Sequence, residues 1–67
     1  MLPPQLSKRE LQIILHISHG LTDKGIGELL SISDKTVSTH RKKIIKKLNL
    51  NNTAMLVRYA FENNLVK

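Results

Sequence analysis

Residues 33–48 read S-D-K-T-V-S-T-H-R-K-K-I-I-K-K-L and carry nearly all of the chain's excess charge. Six cations, Lys35, Arg41, Lys42, Lys43, Lys46 and Lys47, stand against the single acid Asp34, a net +5 out of +6 for all 67 residues. Wound at about 100° per residue, Val37, Ile44 and Leu48 fall within roughly 40° of one another, with Ile45 at the edge of that stripe. That stripe is expected to be buried. Lys35, Thr39, Lys42 and Lys46 lie near the opposite pole, with Ser38 on one flank and Thr36 and Lys43 on the other. Ser33 is placed to accept hydrogen bonds at the helix start. The spacing therefore predicts a short helix held down by one side, offering a cationic face that carries small hydroxyls. A lysine face can simply be solvated. Here the like charges repel and one acid relieves them, which favours an anionic partner.

Outside this stretch, 67 residues suffice for one domain near the lower size limit for an unaided core, and there is no cysteine to staple it. The absence of cysteine excludes a disulfide framework and cysteine-ligated zinc. No apolar run approaches the ~20 residues that span a bilayer and no signal-peptide pattern opens the chain, so a cytoplasmic location is expected. The aromatics are Tyr59 and Phe61 alone, too few for the stacking platforms that hold single strands, and duplex is the favoured anion.

The remaining elements are set by caps and breakers. Residues 1–5, with Pro3-Pro4, read as a linker remnant. Ser7 and Glu10 have capping-box spacing and Gly20 supplies a left-handed stop, giving a helix over 8–19 with Ile13, Ile14 and Ile17 inward. Leu11 and Leu15 add a second stripe, either covered by the fold or facing a neighbouring domain. Thr22 caps a helix over 23–30 whose apolar face is Ile26, Leu29 and Leu30. Gly25 and Gly27 each weaken that helix by up to ~1 kcal/mol relative to Ala. For Gly27 a close approach by another helix accounts for the choice. Only residues 31–33 separate this helix from the basic one, so the pair forms a tight helix-turn-helix. Asn51 or Asn52 caps a last helix reaching about residue 64, with Leu56 and Ala60 inward. Met55, Val57, Tyr59 and Phe61 leave it apolar on more than one side, either as a contact with a second chain or as closure of the core. The fold class is all-α: a four-helix, bundle-like domain in which helices two and three form the helix-turn-helix.

Catalysis finds no support in this pattern. Of the five acids, Glu10 serves a cap, Asp23 and Asp34 sit in first turns where the helix dipole favours them, and Glu28 and Glu62 have no partner acid. His16, His19 and His40 are too scattered for a metal site, and the glycines form no phosphate loop. Neither cofactor nor metal is expected. His40 lies between the buried and cationic faces, where it can bond a backbone group or a phosphate; phosphate is the expectation.

The motifs L-S-K-R-E from Leu6, G-L-T-D-K-x-I from Gly20, I-S-x-K-T-V-x-x-H from Ile32, I-x-x-K-L from Ile44 and N-x-x-x-L-V-x-Y-A from Asn52 occur in a register that resembles the LuxR-type (GerE) helix-turn-helix domain. The likeness covers roughly residues 6–61, and its ending looks most like the output domain of a two-component response regulator. The resemblance implies that helix three enters the major groove of double-stranded DNA, with Ser38 and Lys42 at base-facing positions and Thr39 beside them. It assigns phosphate contacts to Thr22, Lys24, Lys35, Thr36, His40, Lys43, Lys46 and Lys47. It gives the last helix, through Met55, Val57, Tyr59 and Phe61, a homodimer contact on an inverted-repeat operator, with RNA polymerase as a further candidate partner. Where the family usually has Glu and Ala, this chain has Gly25 and Gly27. The competing class is a module whose basic helix docks on acidic protein or anionic membrane, but its outward Ser38 and Thr39 lack the bulky apolar residues that membrane docking uses.

Overall fold

Every helix in the computed structural model, which describes residues 6–66, begins on a side-chain cap. Ser7, Thr22, Ser33 and Asn52 accept hydrogen bonds from the backbone N–H groups of Glu10, Gly25, Thr36 and Met55, satisfying a donor that each first turn leaves open. The helices are α1 (Lys8–Ser18), α2 (Asp23–Leu30), α3 (Asp34–Lys47) and α4 (Thr53–Glu62). The expected linker over residues 1–5 lies outside the described residues. At α1 the capping box is complete, because the Ser7 N–H donates back to Glu10 Oε1 at 2.9 Å.

The four helices also end alike. Gly20, Ser31, Asn49 and Asn64 adopt positive φ, and the N–H of the following residue reaches back five residues: Leu21 to His16, Ile32 to Gly27, Leu50 to Ile45 and Leu65 to Ala60. This is the Schellman closure, in which the left-handed residue turns the chain and the next side chain folds onto the core. Leu21, Ile32, Leu50 and Leu65 all pack there. Helices α1 and α4 stop slightly earlier than the sequence spacing suggests, at Ser18 and Glu62, because the closing turns begin there.

The core is Ile13, Ile14 and Ile17 of α1, Ile26 of α2, Val37 and Ile44 of α3, Leu56 and Ala60 of α4, and Val66 beyond α4. Burying an aliphatic side chain of this size contributes about 1.5 to 3 kcal/mol. Helix α1 packs on both α3 and α4, while α2 packs most closely on α3. Leu48 and Ile45 are half-buried at the margin of the α3 stripe, and Leu11 and Leu15 are half-buried on α1.

Leu29 departs from expectation: it is 61% exposed, and the inward face of α2 is Ile26 with Gly27 and, in part, Leu30. The cause is Gly27. A Cβ there would lie 2.6 Å from the Ile32 carbonyl oxygen and 3.3 Å from the Asp34 nitrogen. The bare glycine lets α2 lean onto the turn that follows it, which rotates Leu29 out to solvent.

Candidate nucleic-acid interface

Two α3 cations are held inward. Arg41 spans three helices: Nη2 donates to Asp23 Oδ2 of α2 at 2.8 Å, Nη1 to Thr53 Oγ1 of α4 at 3.0 Å, and Nη2 also to Ser38 Oγ one turn away at 3.3 Å. Lys47 Nζ lies 2.9 and 2.8 Å from the two Glu10 carboxylate oxygens of α1. Glu10 is 5% exposed. Burial pushes its carboxyl up, but the Lys47 ammonium and the two Ser7 hydrogen bonds outweigh this and hold it below the usual value. The cap residue of α1 therefore also anchors the C-terminal turn of α3.

The other α3 cations point away. Lys35, Lys42, Lys43 and Lys46 are exposed, and among the described residues none has its ammonium in a hydrogen bond or ion pair. They share one side of a helix whose other side carries the buried Val37 and Ile44. An exposed lysine row with no acid across from it keeps its field directed at solvent, where a polyanion would enter.

The candidate base-reading residues Ser38, Thr39 and Lys42 lie together on the flank and crest of this face. Ser38 is half-buried with its oxygen accepting from Arg41, and Thr39 is exposed with its hydroxyl donating to the Lys35 carbonyl at 3.0 Å. Of the candidate phosphate residues, Lys35, Lys43 and Lys46 extend along the same helix. Thr36 is exposed near its start, its hydroxyl 2.8 Å from that of Ser33. Thr22 and Lys24 are exposed at the start of α2, where backbone dipoles add positive potential. The Asp23 to Arg41 pair fastens that helix start to α3. His40 is half-buried, and Lys47, although its side chain is 38% exposed, is engaged by Glu10.

On α4, Met55 and Phe61 are 40% and 48% exposed, while Val57 and Tyr59 are half-buried. These four do not form a single exposed stripe. Residues Arg41 and Glu10 were visible in the sequence only as one charge and one cap. The signal for their cross-helix roles lies in pairings 18 and 37 residues apart, which periodicity does not reach.

Among the described residues no group of three or more His, Cys, Asp or Glu could hold a metal ion, and no helix is long and apolar enough to cross a membrane. Residues 4–60 match the family described as bacterial regulatory proteins, luxR family. The chain is similar to the transcriptional regulatory protein LiaR of Bacillus subtilis, 46% identical over 61 residues that make up 91% of this chain and 29% of that protein. It is equally similar to the oxygen regulatory protein NreC of Staphylococcus carnosus, 46% identical over 91% of this chain and 28% of that protein. The Fimbriae Z protein of Salmonella typhimurium is 36% identical over the same share of this chain and 29% of its own length. The chain thus spans less than a third of the relatives it matches. The family is non-enzymatic. With a helix-turn-helix that presents an unpaired lysine face, the chain belongs to the LuxR family of bacterial regulatory proteins as a DNA-binding, transcription-regulating domain.

Proposed function

We propose that this domain is the output module of a bacterial response regulator, residues 6–67 binding duplex DNA and residues 1–5 belonging to the connection from a regulatory domain. The observation that carries the DNA-reading part is the division of the α3 cations. Arg41 and Lys47 are spent on holding the helix in place, which leaves Lys35, Lys42, Lys43 and Lys46 outward. Helix α3 lies in the major groove with Lys42 donating to guanine O6 and N7, and Ser38 and Thr39 reading the adjoining bases. Lys24, Lys35, Lys43 and Lys46, helped by Thr22, Thr36 and His40, contact phosphates. Lys47 contributes at the phosphate edge only through what Glu10 leaves of its charge.

Two copies occupy inverted half-sites about one helical turn apart, with Met55 and Phe61 of α4 at the contact and Val57 and Tyr59 behind them. The exposure of Met55 and Phe61 supports this arrangement. RNA polymerase is a further partner of such a complex.

Selection from a randomised duplex pool tests the reading. An enriched inverted repeat, bound by two chains per duplex in sedimentation, is the expected result. A pool that stays random, or binding only to acidic vesicles, would refute it.

A further inference from the structure

Arg41 faces away from the lysine row, yet one branch of its guanidinium touches a residue on the reading flank. Nη2 divides its donors between Asp23 Oδ2 and Ser38 Oγ, at 2.8 and 3.3 Å, while Nη1 is fixed by Thr53 Oγ1 at 3.0 Å. With first-turn residues of α2 and α4 gripping it, this guanidinium cannot swing aside. A serine hydroxyl has one proton and two lone pairs. With a cation donating into one lone pair, the proton of Ser38 turns away from Arg41, and the O–H is polarised into a stronger donor. Thr39 has the opposite arrangement. Its proton is committed to the Lys35 carbonyl at 3.0 Å, so only its oxygen lone pairs and its methyl remain outward.

Resting on the DNA-binding reading above, we propose that Arg41 is a positioning residue that fixes Ser38 as a hydrogen-bond donor to a purine N7 in the major groove, while Thr39 beside it faces the bases as an acceptor. Adjacent hydroxyls of opposite polarity make a two-position filter. N7 is the acceptor common to both purines, thymine O4 is the pyrimidine acceptor left open to it, and cytosine, which offers an amino donor in the groove, is rejected at the Ser38 position. At the Thr39 position an adenine or cytosine amino group is accepted, and thymine through methyl contact. An otherwise promiscuous serine thereby discriminates against cytosine, without Arg41 touching DNA.

The test uses the 67-residue chain and the duplex it selects from a random pool. Each purine is replaced in turn by its 7-deaza analogue, which lacks the N7 acceptor, and affinities are read by fluorescence anisotropy. Wild type should lose about three- to tenfold at one position, the range of a single hydrogen bond. Ser38→Ala should lose that factor on the unmodified duplex and nothing further at that position. Arg41→Lys keeps the charge but cannot hold three partners at once, and its sensitivity at that position should fall below about twofold while other positions keep theirs. If Arg41→Lys does not fold, Asp23→Asn, which loosens the grip on Arg41, should lower the same sensitivity. No deaza position whose effect vanishes in Ser38→Ala would overturn the proposal. So would an Arg41 or Asp23 variant that weakens all duplexes equally and retains the wild-type ratio. Failure of the wild-type chain to select any sequence is a separate result, which would sink the underlying DNA reading instead.

Discussion

The ammonium of Lys47 is shared between both carboxylate oxygens of Glu10, at 2.9 and 2.8 Å, joining the last turn of α3 to the first turn of α1. One carboxylate thus closes the capping box and clamps α3 from the side opposite its lysine row. Its consequences are thermodynamic.

Because the folded state holds the Glu10 carboxyl below its usual value, the folded protein binds that proton less readily than the unfolded chain. The pair's contribution is complete above the ordinary carboxylate value of about 4.3 and is lost as pH falls through the depressed folded value. Melting temperature against pH should therefore decline in acid more steeply for wild type than for Glu10→Gln. The variant should also be less stable at neutral pH by about 1 to 3 kcal/mol. Parallel curves would show that Glu10 does not govern the acid limb.

Lys47→Ala is expected to act mainly on the fold. Removing it leaves a 5%-exposed carboxylate with the Ser7 backbone N–H as its hydrogen-bond donor, so the melting temperature should drop. The salt slope of DNA binding should change less than in Lys46→Ala, whose ammonium has no partner among the described residues. Equal changes in slope would place Lys47 on a phosphate despite Glu10.

The two glycines of α2 should respond in opposite directions. Gly27→Ala forces a Cβ to 2.6 Å from a backbone carbonyl and should cost about 1 to 3 kcal/mol. In Gly25→Ala the new Cβ meets Thr22 Oγ1 at an ordinary 3.5 Å, so it should stabilise by about 0.5 to 1 kcal/mol. In a domain of this size 1 kcal/mol is about 4 to 8 °C in Tm, within reach of calorimetry.

Ser31 ends α2 at φ 59° and ψ 42°, a region that costs an L-residue roughly 1 to 2 kcal/mol, whereas Asn49 and Asn64 at the equivalent ends are of a type that tolerates it. Ser31→Gly should raise stability by about 0.5 to 1 kcal/mol after the larger unfolded-state entropy of glycine is offset. A fall in Tm would mean that the serine makes a compensating interaction.

Lys42→Ala should reduce affinity for the selected duplex by about 1 to 3 kcal/mol and for random duplex far less. Equal losses on both would remove Lys42 from base reading.

What was legible in the sequence is what local chemistry decides. Ser7 with Glu10, Thr22, Ser33 and the Asn51–Asn52 pair, of which Asn52 is the cap, mark helix starts because a cap is satisfied within three residues, and Ile13, Ile17, Val37, Ile44, Leu56 and Ala60 follow from helical spacing. Leu29 was misplaced because spacing finds an apolar face but not the rotation of a two-turn helix leaning on Gly27. Val66 escaped for a related reason: it lies past the end of α4, and only the left-handed turn at Asn64 brings it under the core. For the candidate site, the cationic row was legible as charge. Helical spacing also placed Lys35, Lys42, Lys43 and Lys46 outward, whereas the engagement of Arg41 and Lys47 was not legible, since it depends on Asp23 and Glu10 arriving from other helices.

In the proposed complex the outward lysines of α3, with Lys24, form a phosphate-tracking surface around a base-reading crest. Its most direct test is the affinity of the chain for its selected duplex across a salt series. Phosphate contacts from Lys24, Lys35, Lys43 and Lys46, with a fraction of Lys47, predict that log K falls against log salt with a slope of about −4 per protomer. A flat response, or a slope unchanged in the Lys43→Ala, Lys46→Ala double variant, would contradict the account.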